Sequence, residues 1–263
     1  MPVEILLEPL TLFLSIISGV AVGFSLGLVG GGGSILAVPL LLYVVGVKDA
    51  HVAIGTSALA VGIIATINLL NHRKNGNLKI KKGLTFALPG VAGTLIGSQL
   101  GLWTPTENLL ILFAVFMTAI GILMIKMKAT PAEITRGKSG LILLKKNLSI
   151  SGFSVGVLAG YFGIGGGFLI VPTMMYSGGL NIIQAIGTSL VSVSSFGLIT
   201  AGRYLVAGNI DFVISLLFVA GGVLGGYIGT KSSEKIHVTN LVRIFSILLF
   251  GVAAYIVIRT IIS

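Results

Sequence analysis

Long apolar stretches fill this chain, broken at intervals by glycine, turn-forming residues and tight groups of lysine and arginine. Reading them between their polar breaks gives ten candidate segments: 10–29, 34–46, 51–71, 82–101, 107–126, 147–163, 165–178, 183–203, 210–230 and 238–260. A helix rises 1.5 Å per residue, so about 20 apolar residues cross a hydrocarbon core of about 30 Å. Most of the segments approach that length. Residues 34–46 and 165–178 would reach only about 20 Å, so each is expected as a thin crossing or as one limb of a re-entrant hairpin.

Composition agrees: 55% of the 263 residues are hydrophobic, 9% are charged, and mean hydropathy is +1.08. An all-α polytopic membrane protein is expected. The first run does not read as a signal peptide, because Met1 to Thr11 carries Glu4 and Glu8 and no basic residue; it reads as a retained helix.

A formal charge of +10 could point to nucleic acid, but here the basic residues mark loops, and no nucleic-acid partner is expected. Residues 71–82 hold Arg73, Lys74, Lys79, Lys81 and Lys82; 126–146 hold Lys126, Lys128, Arg136, Lys138, Lys145 and Lys146; 231–243 hold Lys231, Lys235 and Arg243. These are fourteen of the seventeen basic residues. The other three, Lys48, Arg203 and Arg259, fall in opposite-side segments with Glu4, Glu8, Asp49, Glu107 and Asp211. Basic loops stay cytoplasmic, so both termini are expected outside, and the basic loops are expected to be solvated or to meet lipid phosphate. Cysteine is absent, and His51, His72 and His237 have no metal-ligand spacing, so no metal or other cofactor is expected. Paired carboxylates and a Ser–His constellation are also missing from the spans, which argues against an enzyme.

The second half of the chain copies the first at an offset near 133 residues. Ser18, Gly19, Gly23, Gly27, Gly30, Gly32, Gly33 and Pro39 align with Ser151, Gly152, Gly156, Gly160, Gly163, Gly165, Gly166 and Pro172. After one deletion, Ala53–Ser57 aligns with Ala185–Ser189, Gly76-Asn77 with Gly208-Asn209, and Gly90, Gly93 and Gly97 with Gly222, Gly225 and Gly229. The predicted division is a first repeat at 1–128, a basic cytoplasmic linker at 129–146 and a second repeat at 147–263. Gly76-Asn77 falls in a basic, inside loop and Gly208-Asn209 in a nearly Lys-free, outside one, so the copies are expected to be inverted. Inverted repeats around a central site are a common architecture of secondary transporters, because exchanging the two halves' conformations gives alternating access.

Two features of each copy are candidates for that site. Gly30-Gly31-Gly32-Gly33-Ser34 and Gly163-Ile164-Gly165-Gly166-Gly167 are dense breaks, each followed by Val-Pro. Unwound backbone at membrane depth survives only in protein or facing water, and its amides before a helix start suit an anion. Close packing without a ligand is the other reading. The Gly-Thr-Ser steps add hydroxyls at Thr56, Ser57, Thr188 and Ser189; these can donate to an oxyanion or bond back to the preceding turn. Asn68 and Gln184 are polar singletons that line the path or join helices. Arg203 snorkels to the interface or attracts anions, and His51 caps or titrates. Gly90, Gly93, Gly97 and their counterparts read as packing faces, as do most of the aromatics Trp103, Tyr161, Tyr204 and Tyr227. No Asp, Glu or Lys occupies mid-span, so no proton relay is visible. Anion export can run on an inside-negative potential, worth about 2.3 kcal/mol per charge per 100 mV.

The pattern Gly-Phe-Ser-Leu-Gly-Leu-Val-Gly-Gly-Gly-Gly-Ser-Ile-Leu-Ala-Val-Pro (23–39) and its partner Gly-Tyr-Phe-Gly-Ile-Gly-Gly-Gly-Phe-Leu-Ile-Val-Pro (160–172) resemble the TauE/SafE family of sulfite and organosulfonate exporters. The Ala-Ile-Gly-Thr-Ser pair and Pro89-Gly90-Val91-Ala92-Gly93 fit the same family. The resemblance covers essentially the whole chain. It implies a permease of the prokaryotic inner membrane that moves sulfite, sulfoacetate, a related sulfonate or another small anion, with no cofactor. A passive anion channel, or a carrier of another small ion, is the alternative. A homodimer is compatible with so many glycine-rich faces.

Overall fold

The computed structural model describes residues 9–74, 76–126, 147–163 and 167–232. Among these, the regular structure is helical: α1 (Pro9–Val29), α2 (Ala37–Leu40), α3 (Ala50–Lys74), α4 (Ile80–Trp103), α5 (Thr106–Lys126), α6 (Leu148–Phe162), α7 (Gly167–Tyr176), α8 (Ile182–Val206) and α9 (Phe212–Ser232). The expected linker at 129–146 and the last span at 238–260 lie outside the described residues. By length and composition, α1, α3, α8 and α9 can each cross a membrane.

Short polar side chains start several helices by taking N–H groups that have no partner within the helix. The carboxylate of Asp49 accepts the N–H of His51 at 2.7 Å, Asn147 accepts that of Ser149 at 3.1 Å, Asn181 accepts that of Gln184 at 2.9 Å, and Asp211 accepts that of Ile214 at 2.9 Å. The surface then sorts by size in the sense opposite to a water-soluble protein. On α4 the small residues Gly83, Gly90, Gly93, Thr94, Gly97, Ser98 and Gly101 are buried, while Leu84, Leu88, Leu95, Ile96 and Leu100 are exposed. Lipid solvates leucine as well as protein does, so close approach of backbones, and not removal of apolar surface from water, decides which face turns inward.

Those close approaches define the bundle. Gly19, Gly23 and Gly27 of α1 lie against the backbone of Phe218, Gly222 and Gly226 of α9, while Gly225 and Gly229 of α9 press back on Val20 and Phe24. On the other side, Gly152, Gly156 and Gly160 of α6 lie against Phe86, Gly90 and Thr94 of α4, with Gly93 and Gly97 of α4 against Phe153 and Val157. Residue numbers rise together in both pairs, so each pair is parallel. Between them α3 and α8 cross antiparallel: Gly55 lies by Tyr204, Gly62 by Leu198, and His72 by Gly187. The first helix of each half of the chain therefore packs on a helix of the other half, across the sequence division at 129–146.

The segment expected as a short helix over 34–46 behaves differently. Gly30 adopts φ 68°, which ends α1, and Gly30–Leu36 then coils as a 3₁₀ helix. Four consecutive glycines permit this tight pitch, and Gly33 presses onto Ser25 and Leu26 of α1 where a Cβ would clash. The chain continues through α2 and a π turn at Leu41–Val45, and Gly46 at φ 89° closes it. The break is thus a coil of changing pitch and not an unwound loop. It starts at Ile186 and Ser189 near the start of α8 and ends beside α3, whose first turns pack at the end of α8. At about 2.0 Å per 3₁₀ residue and 1.5 Å per α residue its contour is about 25 Å, shorter than the 25-residue α3 that follows it.

Replacing Gly156 with valine drives a branched side chain into the backbone of Gly90 and is expected to cost about 3 kcal/mol. Leu224→Ala, at a side chain that is 63% exposed, is expected to change little. Thermal unfolding of the detergent-solubilised variants, followed by far-ultraviolet circular dichroism, reads the difference.

Candidate functional site

The candidate residues gather into two clusters, one at each end of the α3–α8 pair. At the end where α1 stops and α8 starts, the N–H of Gly31 donates to Ser189 Oγ at 3.2 Å, and Ser189 in turn donates to the Ile186 carbonyl at 2.7 Å. Ser34 is 1% exposed and donates to the Gly31 carbonyl at 2.8 Å. One residue before Ser189, Thr188 Oγ1 accepts the N–H of Lys79, the residue before α4, at 3.1 Å. Gly187 lies under the Asn77 carbonyl. The first glycine break, the second Gly-Thr-Ser step and the Gly76-Asn77 loop thus form one assembly.

The opposite end repeats the plan with the halves exchanged. Gly163, at φ 65°, lies against Ile54, and Ser57 donates to the Ile54 carbonyl at 2.9 Å. Thr56 Oγ1 accepts the N–H of Asp211, the residue before α9, at 2.9 Å, and Gly55 lies under the Asn209 carbonyl. Gly165 and Gly166 lie outside the described residues, and Gly167 opens α7. Gly32 belongs to the 3₁₀ coil between Gly31 and Gly33.

The two Gly-Thr-Ser steps therefore do not meet. Thr66 and Ser194 touch at the crossing of α3 and α8, their hydroxyls 2.5 Å apart. Counting helical rise from that contact separates Thr56 from Thr188 by about 24 Å. The hydroxyls are buried and bonded to backbone, either at helix-start loops or one turn back. Gln184 sits in the first turn of α8, half-buried, and joins neither cluster. Asn68 is fully buried on α3 against Gly226 of α9, and neither atom of its amide has a hydrogen-bond partner. An amide buried in that way costs about 1–3 kcal/mol, which makes Asn68 the least satisfied of the candidates.

Four residues near these clusters carry polar groups that the sequence reading passed over or treated as packing. His72 follows Asn68 by one turn on the same face, is 1% exposed, and holds the Gly27 carbonyl at 3.2 Å. Tyr204, its counterpart at an offset of 132, is fully buried and stacks on His51 with ring centroids 6.4 Å apart. His51 Nε2 in turn lies 3.1 Å from the Thr104 carbonyl. Thr66 and Ser194 form the mid-bundle pair. The signal for His72 was its i, i+4 spacing from Asn68 at the end of an apolar run, and for Tyr204 its position in the repeat register.

Comparison with known proteins matches this chain to a family. The family model described as Sulfite exporter TauE/SafE covers residues 15–256. This chain belongs to the TauE/SafE family. It is 41% identical to a "probable membrane transporter protein" of Xylella fastidiosa (strain Temecula1) over 95% of this chain and 96% of that one. It is 28% identical to the "probable membrane transporter protein YunE" of Bacillus subtilis, over 94% and 98% of the two chains. A "probable membrane transporter protein" of Methanocaldococcus jannaschii is 27% identical over 88% and 90%. No solved structure matches. With its apolar helices, this TauE/SafE chain is a multi-pass membrane transporter.

Removing the Thr188 hydroxyl leaves the Lys79 N–H without its acceptor. In Thr188→Ala the Lys79 amide is expected to exchange about fivefold faster, matching a loss of about 1 kcal/mol, while Thr118→Ala, whose hydroxyl bonds one turn back to Ala114, leaves it unchanged. Hydrogen–deuterium exchange mass spectrometry of the 76–83 peptide checks this.

Proposed function

We propose that this protein exports a small anion, sulfite or an organosulfonate such as sulfoacetate, by alternating access between two inverted halves. The observation that carries the reading is the pair of crossed latches: Thr188 of the second half holds the Lys79 N–H of the first, and Thr56 of the first holds the Asp211 N–H of the second. The latches lie at opposite ends of one antiparallel helix pair, so releasing one opens one end while the other stays closed. The parallel α1–α9 and α4–α6 contacts support the same exchange of halves. The family's description as a sulfite exporter supports the substrate class.

In this reading the anion meets Gly31, Gly32, Gly33 and Ser34 with Thr188 and Ser189 at one end. It meets Gly165, Gly166 and Gly167 with Thr56 and Ser57 at the other. Backbone amides and hydroxyls bind without a formal charge, which lets the ligand leave again. Asn68 lies between the ends with an amide free to donate, and Gln184 lines the entrance at the start of α8. Outward movement of net negative charge is downhill in an inside-negative cell, by about 2.3 kcal/mol per charge per 100 mV. The basic loop residues Arg73, Lys74, Lys79, Lys81 and Lys82 support assigning their end to the cytoplasm, with both termini outside and the protein in the inner membrane.

In proteoliposomes, labelled sulfite uptake should show counterflow and be competed by sulfoacetate but not by chloride. Ser189→Ala and Thr56→Ala are expected to lower transport about tenfold with folding intact. Flux without trans-acceleration would identify a channel, and full activity in both variants would remove the latched ends from the mechanism. Orientation has a separate test, made clean by the absence of native cysteine. An impermeant maleimide added to intact cells should label Val206→Cys, 86% exposed, and spare Lys81→Cys; the reverse pattern would invert the topology.

A further inference from the structure

The last turns of α3 carry a groove of about 510 Å³ on the outside of the bundle, lined by Ile67, Leu70, Asn71, Arg73 and Lys74. Ile67, Leu70, Asn71 and Lys74 are spaced i, i+3, i+4 and i+7, so they form one stripe along the helix, with Arg73 beside its end. The stripe is graded. Its upper part is apolar, with Leu70 52% exposed; an amide follows, and two exposed cations finish it. The end of α3 adds the negative pole of its dipole, which steadies these cations where they stand. Lys79, Lys81 and Lys231 are exposed nearby on α9 or before and within the first turn of α4. Lys82, by contrast, donates its ammonium to the Gly178 carbonyl.

We propose that this groove is a binding site for an anionic phospholipid, with its acyl chain along Ile67 and Leu70 and its headgroup phosphate held by Asn71, Arg73 and Lys74. A soluble anion would leave the apolar part of the stripe unused, and a zwitterionic lipid would place its own cation among three donors. Only an amphiphile with net negative charge matches the whole gradient, because a cation near a membrane surface gains about fivefold in affinity for anionic lipid. The site is separate from the transport path: Asn68 and His72, on the opposite side of the same turns, face α1 and α9. It does not depend on the identity of the exported anion.

The full chain is purified in phosphatidylcholine nanodiscs, phosphatidylglycerol is titrated in, and retained lipid is read by native mass spectrometry. The native protein should prefer phosphatidylglycerol, and Arg73→Gln/Lys74→Gln should lose about 25-fold of that preference. Lys81→Gln/Lys231→Gln removes the same charge from the same end outside the groove and should lose less than about threefold. Leu70→Asn should weaken retention of both lipids alike. All these side chains are exposed, and unchanged melting in phosphatidylcholine verifies folding. Equal losses in the two double variants, no loss in the groove variant, or equal protection by inorganic phosphate would each overturn the proposal.

Discussion

Backbone contact through glycine is the constraint on which the rest of this structure depends. In lipid there is no hydrophobic gain in bringing two apolar helices together, so stability must come from dispersion at short range and from weak Cα–H contacts to carbonyls. Both need the helix axes closer than any Cβ allows. Gly23 against Gly222 and Gly156 against Gly90 meet that need, and the other glycines of the two stripes extend it along α1–α9 and α4–α6. Between these two clamps α3 and α8 cross antiparallel, with Gly30 at one end of that pair and Gly163 at the other.

Much of the fold was legible in the sequence because membrane solvation is a severe filter. The helices at 9–29, 50–74, 80–103, 106–126, 182–206 and 212–232 fall on predicted apolar runs, since nothing but a helix satisfies the backbone there. The coil at Gly30–Leu36 was harder to foresee, because glycine propensity says that an α-helix is disfavoured without saying which alternative pitch replaces it. The partner of each motif was not legible at all. Gly-Thr-Ser and Gly-Asn stood out separately as repeated pairs, yet nothing in one copy shows that Thr188 reaches across to Lys79 or Thr56 to Asp211. A contact between halves depends on the handedness of packing, which spacing along the chain does not encode.

The same limit explains the placement of the candidate hydroxyls. Each step contains a serine that bonds one turn back and a threonine that accepts a loop amide, so chemically similar neighbours have different duties. Asn68 departs from this economy. It is wholly buried, yet neither the nitrogen nor the oxygen of its amide has a hydrogen-bond partner, a condition it shares with the single hydroxyls of Ser18, Ser192 and Tyr204.

The interleaving of the two halves bears on how the protein is made. The surface that α1 presents, lined by Gly19, Gly23 and Gly27, is completed by α9, some two hundred residues later in the chain. Until that helix leaves the ribosome, α1 stands in the bilayer with its small-residue face uncovered, and α4 waits in the same way for α6. Assembly is therefore a late event in biogenesis, and a chain stopped midway would present to membrane proteases the very stripes that hold the finished bundle together.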